Sequence, residues 1–345
     1  MQASHLLDLT DQTLWHGRVL ALLDGSTVRL RPYGDIPKHF PGNRNQHGKP
    51  YWCLMRVTAC FCALSGAALD CALGSIGLSE QAMACQLILR SLAKSVFIGD
   101  RAYGIFRVAQ AARHARQEVL LRMTSRRARK LLGRDLLPGD HPLRWKPSRK
   151  DQLEPGCSKE PLQGRLLLLW IQPPGLRREL LCLFTTLPNT ADFTLAELAK
   201  VYGYRWHIEL NLRYLKAQMD LVQLEAKSAD MVRKEWLAGL LAYNLIRGAQ
   251  LSAALLKGIA PLSLSFSGVR KRLERWLQHW TAHPQAALSK WATVLQQMGG
   301  CALPHRRKKR PSEPRAQRHL RLAYAPLYGS RAAARRRLRK NQLKS

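Results

Sequence analysis

The chain has 345 residues, of which 56 are Lys or Arg and 23 are Asp or Glu, so its formal net charge is +33. A surplus of this size favours polyanionic partners such as nucleic acids. Because 46% of the residues are hydrophobic and nine are Trp, the composition argues against a disordered basic protein and predicts a packed core.

The first predicted element leads to an acidic residue. The apolar run of residues 17–23 ends at Asp24, and Gly25-Ser26 follows before a second apolar stretch that reaches Leu30. Asp-Gly between strand-forming residues is a strong hairpin signal, so we predict a strand, a tight turn and a second strand. Residues 51–73 predict a meander of further strands.

A helix and a second acidic residue come next. Residues 79–92 have an amphipathic pattern that Ser79 can cap, which predicts a helix. The short apolar run of residues 95–98 predicts a buried strand that ends at Gly99-Asp100, with a helix from there to about Ala115. Open sheets bind ligands at the carboxyl ends of their strands, so Asp100 is a candidate site residue. Another strand is predicted at residues 118–123.

The sequence changes character between residues 124 and 188. Basic, turn-rich sequence precedes two apolar runs, residues 162–173 and 179–187, which are joined by Pro173-Pro174-Gly175. Leaving two such runs in solvent would be unfavourable. The segment therefore predicts a β-rich insertion rather than a long loop.

The C-terminal part is predicted to be helical. Residues 194–220 and 229–256 predict two long helices, and a helical region continues beyond Gly258. Residues 305–345 hold 15 Lys or Arg against one acid, which predicts a partly disordered basic tail with an Arg-rich helix near residues 332–340. The predicted buried side of the second long helix consists of Trp236, Leu240, Leu241, Tyr243 and Leu245.

Cysteine usage and the N-terminus bear on the compartment. The eight cysteines form no CxxC pair, and no His lies at zinc-ligand spacing from them, so we expect no zinc site. A disulfide framework would be unusual in a chain of this size. The first residues lack the features of a signal peptide, and no apolar run reaches the length of a membrane span. We therefore expect a cytoplasmic protein with no membrane partner.

The most informative pattern lies in the helix predicted at residues 194–220. Tyr202, Arg205, Glu209 and Lys216 follow the spacing Tyr-x2-Arg-x3-Glu-x6-Lys, and an ideal helix brings them within about 60° of one face. An Arg and a Glu four residues apart are often only a surface ion pair. Here, however, a carboxylate, two cations and a phenol lie between apolar flanks, which suits a packed helix that presents a site.

This spacing resembles the YREK signature of the IS4-type transposases, a branch of the DDE transposase/integrase superfamily. Asp24-Gly25 and residues 100–104 also resemble the sequences around the family's first and second acidic residues. The resemblance implies an α/β fold, with a ribonuclease-H-like mixed-sheet core, a β-rich insertion before the last catalytic helix, and a helical basic C-terminal region. The implied domains are residues 1–123 as the first part of the core, 124–190 as the insertion, 191–258 as the core helices with the motif, and 259–345 as the basic C-terminal region.

The resemblance also implies a site and its chemistry. Asp24, Asp100 and Glu209 would be the catalytic residues and would hold two Mg²⁺ ions, with Mn²⁺ as a substitute. Hard cations prefer carboxylate oxygens, and two ions about 4 Å apart can activate a water or a 3′-hydroxyl for in-line displacement. The implied partner is double-stranded DNA, both transposon ends and target, bound by a homodimer in the bacterial nucleoid. Contacts to DNA are expected from Tyr202, Arg205, Lys216, Arg101 and Tyr103.

One departure and two alternatives accompany this resemblance. Family members usually carry an end-binding domain before the first aspartate, whereas Asp24 lies close to the start of this chain, so we expect that the domain is lost, is supplied elsewhere, or is cut off by a misassigned start. A nuclease of the same fold without strand transfer, and an inactive or domesticated nucleic-acid-binding protein, both stay open. The intact acidic trio argues against decay. The remaining acids are expected to be solvated or structural: Asp35, Asp70, Glu80, Asp220 and Glu225.

Overall fold

The computed structural model describes residues 13–43, 51–91, 94–133, 135–154, 156–172, 178–303 and 329–342. The strands in these residues are β1 Val19–Leu30, β2 Cys53–Cys62, β3 Ala68–Ser75, β4 Ser95–Gly99, β5 Glu118–Met123, β6 Gly139–Trp145, β7 Leu162–Ile171, β8 Glu179–Thr185 and β9 Gln223–Leu224. The helices are α1 Ile36–His39, α2 Glu80–Leu89, α3 Phe106–His114, α4 Ser125–Leu132, α5 Arg149–Gln152, α6 Leu195–Gly203, α7 Trp206–Arg213, α8 Ala229–Lys257, α9 Phe266–Ala282, α10 Pro284–Ser289, α11 Trp291–Gly299 and α12 Arg331–Gln342.

The chain divides into two compact units. The first consists of Met1–Ile171 and Glu179–Arg307, and its described part holds the sheet and α1 to α11. The second consists of Gln172–Arg178 and Lys308–Ser345, and its described part holds α12, which confirms the predicted Arg-rich helix. The disorder predicted for the basic tail concerns mainly residues 304–328 and 343–345, which lie outside the described residues.

The central sheet has nine strands in the order β3-β2-β1-β4-β5-β8-β7-β6, with β9 paired to β1. Strands β1, β2 and β3 form an antiparallel meander, while β4 and β5 run parallel to β1. All five residues of β4 are buried, as suits an interior parallel strand. This mixed arrangement confirms the predicted α/β fold with a ribonuclease-H-like core.

The predicted hairpin at Asp24-Gly25 is wrong. Strand β1 continues without interruption from Val19 to Leu30, and β2 pairs with it in one register from Ala21 opposite Cys62 to Leu30 opposite Cys53. A partner strand along this whole length gives every ladder position a hydrogen-bonding neighbour, which outweighs the local turn preference of Asp-Gly. Asp24 therefore lies inside a long strand.

The predicted β-rich insertion is present as strands of the same sheet. Strands β6, β7 and β8 are mutually antiparallel, and β8 pairs with β5, so they extend the core sheet at its β5 side. Helices α4 and α5 accompany them, each capped by a hydroxyl, Thr124 on α4 and Ser148 on α5. The division into four domains at the expected boundaries stays a prediction.

The expected single helix over residues 194–220 is divided. Helix α6 ends at Gly203, a weak helix former, and Tyr204 and Arg205 make tighter i→i+3 bonds to Val201 and Tyr202 before α7 begins. After α7 the chain continues as a π-helical turn, Tyr214–Gln218. Tyr202 therefore lies on α6, Arg205 in the turn before α7, Glu209 on α7 and Lys216 in the π-helical turn, so the four motif residues do not share the face of one ideal helix.

The second long helix is confirmed as α8, but its predicted buried side is partly wrong. Trp236, Leu240 and Tyr243 are buried, whereas Leu241 and Leu245 are about half-exposed. Because α8 carries apolar residues all around its axis, periodicity alone does not select the face that packs. Among the described helices, none combines the length and apolar character needed to cross a bilayer.

The core fills both faces of the sheet. Along β1, Leu20 and Leu22 belong to one cluster, which includes residues of α6, α7 and α8, while Ala21 and Leu23 belong to the opposite cluster, which includes residues of α2 and α3. This alternation is the period of a strand. It directs even-numbered positions of β1 towards α7 and odd-numbered positions towards α2.

A buried arginine joins α8 to α7. The guanidinium of Arg247, 2% exposed, donates hydrogen bonds to Tyr243 Oη at 2.8 Å, Gln250 Oε1 at 2.8 Å and Asn211 Oδ1 at 2.7 Å. Its Cζ also lies 4.9 Å from the ring centroid of Phe266. Neutral hydrogen-bond acceptors and an aromatic face therefore replace water around this charge.

Candidate active site

Asp24 lies where β1 has strand partners on only one side. Strand β2 pairs with residues 21–30 on that side. On the other side, β4 pairs with Val19 to Leu22 and β9 pairs with Arg29 and Leu30. Among the described strands, none pairs with residues 23–28 on this second side. The gap opens the middle of β1 to side chains from other elements.

Asp100 comes close to Asp24 through strand register. In the parallel pair of β1 and β4, Leu22 lies opposite Ile98, two residues before Asp24 and Asp100, and the charge of Asp100 acts on Asp24. The carboxylate of Asp24 accepts a hydrogen bond from the Gly25 amide at 2.8 Å, and that of Asp100 accepts one from the Ala102 amide at 2.8 Å. The two predicted aspartates are therefore brought together.

The electrostatic environment of Asp24 is unusual for a carboxylate. Burial raises its pKa from 3.8 to about 6, and the negative charges of Asp100 and Glu80 also raise it. The Gly25 amide and the Arg205 guanidinium act in the opposite direction. The folded protein therefore holds a partly desolvated acid beside further acids, and the net result is a carboxyl group poised to gain from a nearby cation.

Arg205 connects Asp24 with Glu209. Its Nη2 donates to Glu209 Oε1 at 2.6 Å, and its charge also acts on Asp24 and on the Tyr202 hydroxyl. The Arg205 side chain is 15% exposed, while that of Glu209 is 48% exposed. The positive charge thus lies inside the site and the Glu209 carboxylate lies at its surface.

Lys216 reaches β1 two residues beyond Asp24. Its Nζ donates to Ser26 Oγ at 2.9 Å, in the segment of β1 that has no strand partner on this side among the described residues. Burial lowers the pKa of Lys216, and the nearby charge of Arg29 lowers it further. A cation that is partly stripped of water in this position gains strongly from an incoming anion.

The other residues expected to contact DNA differ in exposure. Arg101 is half-exposed and forms an ion pair with Glu179, with 3.2 Å between the charged atoms. Tyr103 is fully buried and Tyr202 is 7% exposed, so neither ring is available to DNA in this conformation. Burial raises the pKa of the Tyr202 hydroxyl to about 12.

The three predicted metal ligands do not lie together in this structure. Within the described residues, no group of three or more His, Cys, Asp or Glu side chains lies close enough together to hold a metal ion. Asp24 and Asp100 are neighbours, but Glu209 is engaged by Arg205. Like-charged carboxylates repel one another, which favours this separation. The donor set itself fits a hard divalent cation, because each aspartate uses one oxygen for a backbone amide and keeps a second oxygen.

Glu80, which was expected to be solvated or structural, lies close to the site. Its charge acts on Asp24, and its carboxylate packs over Gly25. Its position after the capping residue Ser79 indicated only a helix start, and Gly25 indicated only a turn. Other acids from the same set do have structural partners: Asp70 pairs with Arg90 and Glu225 with Arg31.

The family model described as Transposase DDE domain matches residues 15–245, a span that contains the strands, the paired aspartates and the Tyr-Arg-Glu-Lys motif. The chain therefore belongs to the DDE transposase family. This is a family of DNA transposase catalytic domains that use divalent metal ions.

A curated relative agrees with the IS4-type signature. The chain is 28% identical over 306 residues to the transposase InsG of insertion sequence element IS4 from Escherichia coli (strain K12), a match that covers 86% of this chain and 67% of that protein. Among solved structures, the chain is similar to a piggyBac transposase in a synaptic complex with hairpin DNA, with a TM-score of 0.45 and 8% identity. That superposition covers 81% of this chain and 53% of the piggyBac chain, so the chain spans about half the length of that protein.

Proposed function

We propose that this chain hydrolyses phosphodiester bonds and transfers DNA strands at the ends of an insertion sequence, with Asp24, Asp100 and Glu209 as its catalytic residues. The observation that carries the proposal is the parallel pairing of β1 and β4, which ends two residues before Asp24 and Asp100, together with the action of the Asp100 charge on Asp24. The partly desolvated state of Asp24, whose pKa is raised to about 6, supports it, because a structural acid would be paired or exposed.

The donor chemistry suits Mg²⁺ or Mn²⁺. Asp24 and Asp100 would hold the metal with their carboxylate oxygens, and Glu209 would complete the set. Divalent cations at such a site activate a water or a 3′-hydroxyl and stabilise the leaving oxygen of an in-line displacement. The repulsion between the carboxylates would then be offset by the bound charge.

Arg205 can exchange one anion for another. In the DNA complex, a phosphate would replace Glu209 as the partner of the guanidinium, and Glu209 would be released for the metal. The exchange costs little, because an ion pair with one exposed partner is worth only about 1 kcal/mol. A guanidinium binds phosphate in a bidentate manner, and Lys216 beside Ser26 would supply a second positive charge to the same strand.

A basic cleft near the acids suits the path of DNA. The cleft has a volume of about 690 Å³ and lies between α2, α3, α4 and α5. Gln81 in its wall donates to the carbonyl of Ala102, so the cleft adjoins the turn that follows Asp100. We propose that the backbone of duplex DNA, including the element's ends and its target, runs along this basic lining, and that the complex is a homodimer. Its cationic lining consists of Arg107, Arg127, Lys130, Lys146 and Lys150.

The experiment is a nicking assay with the full chain. A supercoiled plasmid that carries the DNA flanking the reading frame is incubated with Mg²⁺, Mn²⁺ or EDTA. We expect nicking with either metal and none in EDTA, and we expect Asp24→Asn and Glu209→Gln to abolish it, because each removes a ligand and a charge. Asp230→Asn is the matched control, since Asp230 is an exposed first-turn acid of α8 that pairs with Lys234.

Nicking that persists in EDTA, or that survives both active-site substitutions, would contradict the proposal. A labelled 3′-hydroxyl end is then added to distinguish strand transfer from hydrolysis. Covalent joining of the label to a target duplex is the expected result. Nicking without joining would support a nuclease of the same fold.

A further inference from the structure

Helix α9 has one apolar side and one basic side. Its buried residues, Phe266, Val269 and Leu273, belong to the main core cluster. Lys271 and Arg275 lie on the opposite side of the helix and are exposed. The same helix therefore packs on the core and presents cations away from it.

The basic side of α9 forms a cleft with α11, with a volume of about 580 Å³. The cations in its lining are Lys271, Arg272, Arg275 and Lys290. Among the described residues that line it, none is acidic. Glu274, the acid of α9, forms an ion pair with Arg270 instead, with 3.5 Å between the charged atoms. We call this site the Trp276 cleft, after the indole that also lines it.

Several polar groups of the Trp276 cleft have no partner. Among the described residues, no ion pair or side-chain hydrogen bond is formed by Lys271, Arg275 or Lys290. His279 also lines the cleft, and its Nε2 is shielded from solvent without a hydrogen-bond partner in the described part of the chain. A shielded polar atom without a partner is costly. With its proton on Nε2, His279 can donate to the same anion that the cations attract.

The aromatic wall of the cleft is already packed. Trp276 Nε1 donates to the Ala287 carbonyl at 3.0 Å. The Trp276 ring lies parallel to that of Trp280, with 6.0 Å between centroids, and its centroid is 4.5 Å from that of Trp291. An apolar wall beside cations of one sign concentrates their field. The cleft therefore suits phosphates better than a base stacked on a free indole.

The dimensions and the attachment of α9 suit a DNA strand. Lys271 and His279 are about 12 Å apart along the helix, and one strand of duplex DNA has a phosphate about every 3.4 Å of its axis. A strand that follows α9 would bring about three phosphates to the cleft. At its other end, α9 is fixed to the π-helical turn that carries Lys216, because Ser267 Oγ donates to Gln218 Oε1 at 3.2 Å and Arg270 donates to the Gln218 carbonyl.

We propose that the Trp276 cleft is a second DNA-backbone site, which binds phosphates of duplex DNA without reading its sequence. The inference goes beyond the proposed catalytic function, because the lining of the cleft contains none of Asp24, Asp100 and Glu209. A solvated basic helix face would account for exposed lysines, but not for a shielded, unpaired imidazole between two helices.

The test measures binding of a labelled duplex to the full chain by fluorescence anisotropy at several salt concentrations. EDTA is present, so that binding is tested whether or not the chain cleaves DNA. We expect Arg275→Ala to weaken binding about fivefold to tenfold at about 0.1 M salt and to reduce the slope of log K against log salt by about one. The double variant Arg275→Ala/Lys290→Ala should reduce it by about two.

Two variants control for charge and for position. Arg275→Lys keeps the charge and should keep the wild-type slope. Lys234→Ala removes one charge from α8, where the ammonium pairs with Asp230, and should leave the slope unchanged. An unchanged slope in Arg275→Ala, or equal reductions in Arg275→Ala and Lys234→Ala, would overturn the proposal.

Two further arms identify the ligand. A duplex with the element's ends and a scrambled duplex should lose the same affinity in Arg275→Ala, because phosphates carry no sequence information. A loss confined to the end duplex would overturn the assignment to the backbone. Inorganic phosphate should compete with the duplex no better than sodium chloride of equal ionic strength. Stronger competition that disappears in Arg275→Ala would indicate a site for a small anion and would overturn the assignment to DNA.

Discussion

Arg247 provides a stability prediction that does not depend on function. Arg247→Met keeps most of the aliphatic stem but removes all three hydrogen bonds of the guanidinium. Tyr243 keeps a partner, since its hydroxyl donates to the Gly66 carbonyl at 2.6 Å. The acceptor oxygens of Asn211 and Gln250 lose theirs, at about 1–3 kcal/mol each. Lost contacts with the aromatic rings add up to about 2 kcal/mol.

Part of this loss is recovered, because the variant no longer buries a charge. We expect the free energy of unfolding to fall by about 3 kcal/mol, measured by urea denaturation of the full chain. A double-mutant cycle with Asn211→Leu checks the cause. Replacing both partners by apolar groups removes the acceptor that Arg247→Met leaves without a donor. The double variant should therefore lose at least about 1 kcal/mol less stability than the sum of the two single variants. Full additivity, or a loss below about 1 kcal/mol for Arg247→Met alone, would refute the reasoning.

Three further predictions concern charge. Because the pKa of Asp24 is raised to about 6 in the folded protein, its contribution to the free energy of unfolding is complete below pH 4 and is lost as the pH rises through 6. Asp24→Asn in EDTA should therefore reduce the fall in the free energy of unfolding over this range by about 2 kcal/mol, a value that allows for partial exposure of the group. Identical pH profiles of wild type and variant in urea unfolding would contradict this. Lys216→Met should weaken duplex binding at every sequence and reduce the slope of log K against log salt by about one, in fluorescence anisotropy titrations at several salt concentrations. Lys130→Ala and Lys146→Ala in the basic cleft should each weaken duplex binding and reduce this slope in the same way. Lys234→Ala is the control and should not, because the Lys234 ammonium pairs with Asp230. Equal effects at all three lysines would show that the cleft has no special role.

The strand and helix pattern of the core could be predicted from the sequence because local signals and tertiary contacts agree there. Residues 95–98 form a short apolar run between polar neighbours, and β4 is buried along its whole length. Ser79 caps α2 as expected, accepting a hydrogen bond from the Ala82 amide at 3.1 Å. In both places the feature that suits the element locally also suits its position in the sheet or beside it.

The predictions failed where a distant segment decided the outcome. Asp24-Gly25 has the chemistry of a turn, yet β2 holds it inside a strand over ten paired positions. The glycine is needed because Glu80, 55 residues later in the chain, packs against it. The adjacent pair Asp24-Gly25 contains no information about β2 or about Glu80.

The sequence by itself determined the lineage and predicted the acids, because the Tyr-Arg-Glu-Lys spacing and the two aspartate contexts are local patterns that can be read without a fold. Only the tertiary structure decided how these residues meet. The pairing of β1 with β4 ends two residues before Asp24 and Asp100, and the charge of Asp100 acts on Asp24. Arg205 pairs with Glu209 while its charge acts on Asp24, and Glu80 packs against Gly25 from the opposite face of the sheet. Charges act through space over a few ångströms, and the number of residues between two groups along the chain does not show how close they are in the fold.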